Sequence, residues 1–534
     1  MSEPVATLVN EENRTLEPLY TASALAEWNA NITGETRYYE ENARLNGEIR
    51  KHFSDPARYE AFRKADEAGE AKDAVVARQV RLLRLAYLGN QSPPEKIEAI
   101  VKLEKALETR FNNFRAKLGG VEVTDNKIRD VLRHETDNAV RKAAWEASKQ
   151  VGVVAEPDVR ELARLRNAEA RRLGYRDHFA MSLELQELDE KRLFETFETL
   201  HRLSEEPYTE YKRELDEGQS KRFGITPAQM RPWHYSDPFF QDPPSAGLSL
   251  DKFFEGKQLE PLAVAHYKGM GMEVRDILDR SDLYEKPGKC QHAFGLSVDR
   301  KEDVRMLCNL VPNERWLETL LHELGHAVYD KYLDRSLPYL LRMPAHILST
   351  EAIAMLNGRF TRSDEWLIRR AGVPEGEARE LSARLKQRLG QGLMILTRWV
   401  SVMTHFERDL YADPDGNLNP RWWDYVERFQ RVTRPEGRNA PDWAAKIHLA
   451  VAPVYYQNYL LGEMRASQLS SYIAREVVKK PAAGLGALVD RPEAGEFLRK
   501  KVFEPGARQP WEDHLQAATG EGLNPLHFVG QYRG

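Results

Sequence analysis

The sequence predicts an all-α fold of two helical lobes facing a cleft, with minimal β-structure, on three observations. Over residues 23–223, apolar residues recur at spacings of three and four among Glu, Lys and Arg, as in VRLLRLAYL at 80–88 and VRELARLRNAEARRLGY at 159–175. The same texture returns over 313–333, 350–360, 375–410 and 455–479, and again in the C-terminal segment. Between the two halves, from Pro232 to Pro287, it breaks into PWHYSDPFFQDPPSAG and a short helical stretch, which reads as an elaborate crossing from one lobe to the other.

The first twenty residues, MSEPVATLVNEENRTLEPLY, lack both a basic segment and an apolar core of the kind that directs export, and are expected to form a flexible N-terminal segment. A cytoplasmic location follows as the expectation, with a periplasmic or secreted one if a leader was trimmed. No run of 18 apolar residues occurs, so no membrane-spanning segment is expected. The chain of 534 residues is 41% hydrophobic and 30% charged, with a net charge of −5 and interspersed signs, ample for a large core and without the basic footprint of a nucleic-acid binder. CQHAFGLSVDR at 290–300 is the best strand candidate. Only Cys290 and Cys308 are present, too few for a disulfide scaffold but enough for one bridge.

In NERWLETLLHELGHAVYDKYL the apolar positions Trp316, Leu317, Leu320, Leu321, Leu324, Ala327 and Val328 follow helical spacing, with Asn313 available as the N-cap. His322 and His326 then lie one turn apart on one face, where both imidazoles reach a single ion, and Glu323 reaches a water on it. Two imidazoles and a carboxylate within a buried helix are costly unless a metal or hydrogen-bonding partners satisfy them. This is the HExxH arrangement of zinc peptidases. A catalytic zinc takes three protein ligands and keeps one position open. The extended pattern with Gly and His after the second histidine fails, since Tyr329 and Tyr332 stand there. In LSTEAIAMLNGRF, Ser349 or Thr350 can cap a helix whose first turn carries Glu351, 25 residues past His326, and Glu351 is the expected third ligand of the gluzincin type. His346, just after Pro344, is the competing choice.

HELGH followed by EAI resembles the angiotensin-converting-enzyme family of zinc dipeptidyl carboxypeptidases, including its bacterial members. AEWNANITGET at 26–36, KIHLAVAPVYYQNYLL at 446–461 and RPEAGEFLRKKVFEPGARQPWEDHLQAATGE at 491–521 resemble further segments of that family, so the likeness spans nearly the whole chain. Zinc oligopeptidases of the thimet type share the site and are similar; HELGHAVY and the YYxxY spacing lean towards them. The resemblance implies a two-lobed helical clamshell with a deep active-site channel, formed by residues 1–534 as a single zinc metallopeptidase domain of two subdomains. It implies one zinc per chain on His322, His326 and Glu351, with Glu323 as general base and later acid. It also implies a disulfide between Cys290 and Cys308, closing a loop worth about 3 kcal/mol if oxidised.

By the same resemblance His448 and a following tyrosine, Tyr456 or Tyr459, stabilise the oxyanion. Lys446, with Tyr455 beside it, binds substrate through its terminal carboxylate, and His292 with Ala293 pairs with the substrate backbone. The family's tyrosine falls on Asn458 here, so Tyr456 and Tyr459 take the family's positions only after a one-residue insertion following Pro453. Tyr235 is expected where the family has a glutamine that shares the carboxylate contact. Two departures carry consequences: Met355 replaces the family's aspartate four past the third ligand, and Gln457 or Asn458 replaces an arginine of its chloride site.

The function implied is a peptidase that releases C-terminal dipeptides from short peptides. Internal cleavage of the thimet type is the alternative, and a catalytically inactive peptide-binding relative is the reading from another class. The presence of Glu323 argues against the last, because a binding module has no need of a general base.

Overall fold

The computed structural model describes residues 5–244 and 249–532. Helices account for almost all of its regular structure, and the described strands form two antiparallel hairpins, β1 (Ala116–Leu118) with β2 (Val121–Val123) and β3 (Phe294–Ser297) with β4 (Val304–Leu307). The all-α expectation holds. No helix among the described residues is long and apolar enough to cross a membrane. Contacts divide the chain into two units, each discontinuous in sequence. One comprises Met1–Gln91, Ser249–Leu385 and Leu461–Phe528; the other comprises Ser92–Leu248, Lys386–Leu460 and Val529–Gly534.

The first unit is built around helix Glu314–Lys331. Leu317, Leu320, Leu321, Leu324, Ala327 and Val328 are fully buried, packed in one cluster with Tyr267, Ile353, Trp366 and Leu469. Burying side chains of this size stabilises by about 1.5–3 kcal/mol each, which holds the helix rigidly in the interior. Asn313 caps it as the sequence suggests, its Oδ1 accepting from the Trp316 N–H at 2.9 Å.

The N-terminal expectation is corrected: residues 5–20 are not a flexible segment but part of helix Val5–Thr33. Val9 and Leu16 are buried against Phe53, Phe62 and Tyr87, and buried Glu12 accepts from the Tyr87 hydroxyl at 2.8 Å and from Arg58 at 3.1 Å. The polar run NEEN between the apolar positions hides this face from a periodicity reading, because Glu12 is satisfied only by residues far along the chain. Residues 1–4 of that expected segment lie outside the described residues.

The second unit is organised by helix Asn138–Arg172, capped by Asp137 accepting from the Ala139 and Val140 N–H groups. One face of this helix grips the irregular loop at 233–242 by its carbonyls. Arg141 donates to the Trp233 oxygen at 2.8 Å and to the Tyr235 oxygen at 3.1 Å, while Trp145 and Lys149 donate to the Pro238 oxygen at 3.0 and 2.8 Å. At Gly152 a Cβ would stand 2.5 Å from the Pro441 oxygen and 2.9 Å from the Ala445 nitrogen, so only glycine lets the segment leading to Lys446 lie against the helix.

The strand expected within 290–300 is present but shorter. β3 pairs Phe294 with Leu307 and Ser297 with Val304, so His292 and Ala293 precede the strand instead of belonging to it. Cys290 and Cys308 are both free thiols, the first half-buried and the second buried, so the disulfide implied by the resemblance is not formed. Burial raises the Cys308 thiol far above its ordinary range, with the Glu323 charge adding to the effect, and that suppresses the thiolate needed for oxidation. Protein purified without reductant, unfolded and titrated with a thiol reagent, should show two reactive thiols per chain; none would mean that the pair is joined.

Candidate metal centre

His322, His326 and Glu351 each offer a ligand atom, and these atoms all lie within 4.8 Å of one another. It is the one cluster of this kind found among the described residues. The His322 and His326 Nε2 atoms each stand 3.8 Å from an oxygen of Glu351, too far for hydrogen bonds. A tetrahedral ion with bonds of about 2.0–2.2 Å holds its ligands roughly 3.4 Å apart, so the spacing suits a small divalent ion after slight contraction. Two imidazoles and one carboxylate are the donor set of a catalytic zinc, and three ligands leave a position open. Burial lowers the His322 pKa to about 4 and the His326 pKa to about 3, keeping both imidazoles in the neutral form that ligates.

Two helices supply the three side chains, and a close crossing brings them together. At Gly325, between the two histidines, a Cβ would stand 2.7 Å from the Ala354 Cα, so helix Ile347–Gly358 lies directly on the histidine helix. Ligand Cβ atoms also abut glycines: a Cβ on Gly295 would meet His326 at 3.4 Å, one on Gly358 would meet His322 at 3.6 Å, and one on Gly462 would meet Glu351 at 3.7 Å. Sequence periodicity marks Leu and Val as core and passes over these glycines, because their role appears only when two elements touch.

The structure differs from two alternatives considered for this centre. His346 is not gathered with the ligands; it is the N-cap of helix Ile347–Gly358, its Nδ1 accepting from the Leu348 N–H at 3.0 Å. Neither Ser349 nor Thr350 caps that helix, since it begins at Ile347, at least three residues earlier than the sequence suggests. Thr350 instead places its hydroxyl 2.7 Å from the His326 Nδ1. With an apolar methionine at 355, this hydroxyl is the polar group that meets the second histidine.

Glu323 is buried beside the ligands. Burial and the neighbouring Glu351 charge push its carboxyl up to about 7, opposed by a hydrogen bond from the Gly295 N–H of β3. A bound cation would draw it back down. Set between these opposing influences, it is the carboxyl placed to take and return a proton beside the ligands. His292 is exposed and Ala293 half-buried, just ahead of the same strand.

In the second unit the remaining expected residues gather around Lys446. Its Nζ donates to the Gln241 Oε1 at 2.6 Å and lies 5.2–5.5 Å from the ring centres of Phe239, Trp399 and Tyr456. Burial lowers it to about 8, with Asp237 countering. Asp237 also shapes the loop, accepting from the backbone N–H groups of Phe239, Gln241 and Asp242. Tyr235 does not take the place anticipated for it. It is buried, its hydroxyl accepting from Lys212 at 2.7 Å and donating to Asp216 at 2.9 Å, and Gln241 is the residue that meets the lysine. A glutamine in FFQDPP was the available signal, six residues past the position considered.

His448 is half-buried and held neutral, its pKa lowered to about 4 by burial and by Lys446. Its ring lies 4.9 Å from that of Tyr456. Tyr455 and Tyr456 precede helix Gln457–Tyr472, and Tyr459 falls in its first turn. Tyr456 is buried at 6% exposure whereas Tyr459 is 37% exposed. The loop before them is held at Val454, a β-branched residue at φ +52°, whose N–H donates to buried Glu407 at 2.8 Å and whose oxygen accepts from Gln186 and Gln457. Gln186 also accepts from Asn458 at 2.7 Å, so neutral amides bond one another where the chloride-site arginine was sought.

A family model described as angiotensin-converting enzyme matches residues 2–214 and 279–527 of the chain. No curated protein matches it. The interval between the matched stretches contains Gln241, whose assignment rests on its contact with Lys446 alone.

Two substitutions separate the roles of the carboxylates. Glu323→Gln should leave zinc bound and lower kcat for peptide hydrolysis by about a thousandfold, because the ligands survive and the proton acceptor does not. Glu351→Gln should instead weaken zinc binding by roughly a hundredfold or more, read by chelator competition. Near-normal turnover in the first, or full zinc retention in the second, would refute the corresponding role.

Proposed function

Because the chain belongs to the angiotensin-converting enzyme family and is thereby a zinc metallopeptidase acting on peptides, we propose that it releases dipeptides from the C-terminus of short peptides. The observation that carries the finer reading is Lys446, a half-buried cation hydrogen-bonded to Gln241 within an aromatic surround. A cation and an amide side by side, partly shielded from water, suit a carboxylate better than a neutral backbone. Holding the terminal carboxylate makes cleavage count residues from the chain end.

In this reading His322, His326 and Glu351 hold the zinc, which when bound supplies Lewis acidity for the attacking water and the scissile carbonyl. Glu323 accepts the water's proton and passes it to the leaving amine. Burial and the Glu351 charge raise this carboxyl and a bound cation lowers it, so the carboxylate that accepts the proton is the form favoured beside zinc. His448 is proposed as a neutral donor to the oxyanion together with Tyr459, the more exposed of the two candidate tyrosines. Tyr456, buried against His448 and Lys446, and Tyr455, packed on Tyr459, are proposed to shape the substrate end of the site. His292 and Ala293 are proposed to meet the substrate backbone just ahead of β3.

Mass spectrometry of products from a model hexapeptide, once with a free C-terminus and once amidated, tests the reading. The free peptide should lose successive dipeptides. Amidation and Lys446→Ala should each raise KM by about tenfold or more, and the two losses should not add, because both remove one interaction. Equal cleavage of the amidated peptide, or products dominated by internal cuts, would favour an oligopeptidase of the thimet type.

The amide cluster of Gln186, Gln457 and Asn458 offers no cation to an anion, and nearby Arg166 is engaged by Glu104, the Tyr411 hydroxyl and the Leu449 and Ala450 carbonyls. Turnover should therefore change by less than about twofold between zero and about 100 mM chloride when ionic strength is kept constant with a bulky anion. A severalfold rise specific to chloride would place an anion site in this chain after all.

A further inference from the structure

The His326 Nε2 faces the ligand cluster and its Nδ1 faces the Thr350 hydroxyl at 2.7 Å. For Nε2 to present a lone pair to an ion, the ring proton must sit on Nδ1, and an Nδ1–H this far inside the protein needs an acceptor. Thr350 Oγ1 is that acceptor. The other polar route is closed, since Met355 is apolar and packs at Gly462, where an added Cβ would stand 3.3 Å from its Cε. Thr350 is buried at 9% exposure, so water competes poorly for the same bond.

We propose that Thr350 is the positioning residue for His326, fixing its ring orientation and accepting the Nδ1 proton of the zinc-binding tautomer through a neutral hydroxyl in place of a carboxylate. The inference rests on the zinc-peptidase reading above and deepens it. A carboxylate partner would make the imidazole more basic and draw the ring proton towards itself; a hydroxyl orients the ring without adding charge. A threonine hydroxyl also donates, so with no ion on Nε2 the ring has a second arrangement, with Thr350 donating to Nδ1 and the proton on Nε2. Zinc binding then selects one of two tautomers instead of meeting a single pre-set one, and the hydroxyl sets the affinity of the site without touching the ion.

The test measures the zinc dissociation constant of the metal-stripped full chain by competition with a chromophoric chelator. Thr350→Val, which keeps the shape and removes the hydroxyl, should weaken zinc binding by about 10–100-fold. Thr350→Ser should restore it to within about threefold of wild type, and the melting temperatures of the metal-stripped proteins should coincide. Thr350→Ala read against Thr350→Ser, one oxygen apart, gives the same comparison should the valine variant not fold. Unchanged affinity in Thr350→Val, or serine as weak as alanine, overturns the inference alone. A wild-type chain that takes up no stoichiometric zinc overturns the zinc-peptidase reading and this inference together.

Discussion

The metal centre depends on one steric constraint, the contact of two helices at Gly325 and Ala354. A side chain at 325 would push the helices apart, and Glu351, one turn before Ala354, would retreat from both histidines. Ligand atoms within 4.8 Å of one another follow from that crossing, since the two histidines are set by their own helix and the glutamate arrives only with the second. Small residues at Gly295, Gly358 and Gly462 extend the same principle, admitting a neighbouring backbone to each ligand's Cβ. Interiors are packed densely enough that a displacement of this kind does not relax locally.

Rigidity at the crossing is matched by electrical preparation. The centre is buried enough to hold two imidazoles neutral and to raise Glu323 towards neutrality, yet it stays partly open, with the His322 side chain 31% exposed. Neutral imidazoles ligate, and burial holds them neutral; burial together with the Glu351 charge raises Glu323. Thr350 and the Gly295 N–H then orient His326 and Glu323 without adding charge that an incoming cation would have to overcome.

In the second unit the same low-polarity setting acts on a cation. Lys446 is drawn down towards neutrality by burial among aromatic rings and is countered by Asp237, which also braces the loop that carries Gln241. A long helix gripping that loop by three carbonyls gives an irregular segment a defined shape without regular secondary structure. Neutral amides around Val454 do comparable work for the loop that leads to Tyr456 and Tyr459.

By itself the sequence determined the helical class, the buried helix that carries His322, Glu323 and His326, and its Asn313 cap. Each of these is written within a turn or two of helix, where spacing alone decides which side chains share a face. Tertiary structure decided the rest. Val5–Thr33 is a helix because Glu12 finds Tyr87 and Arg58. Thr350 serves His326 instead of capping its helix, a role His346 takes at least three residues ahead of the anticipated cap. Gln241, not Tyr235, meets Lys446 across 205 residues. Such partners are chosen by which backbones approach, and that is settled by packing between segments far apart in the chain, where no local period leaves a trace.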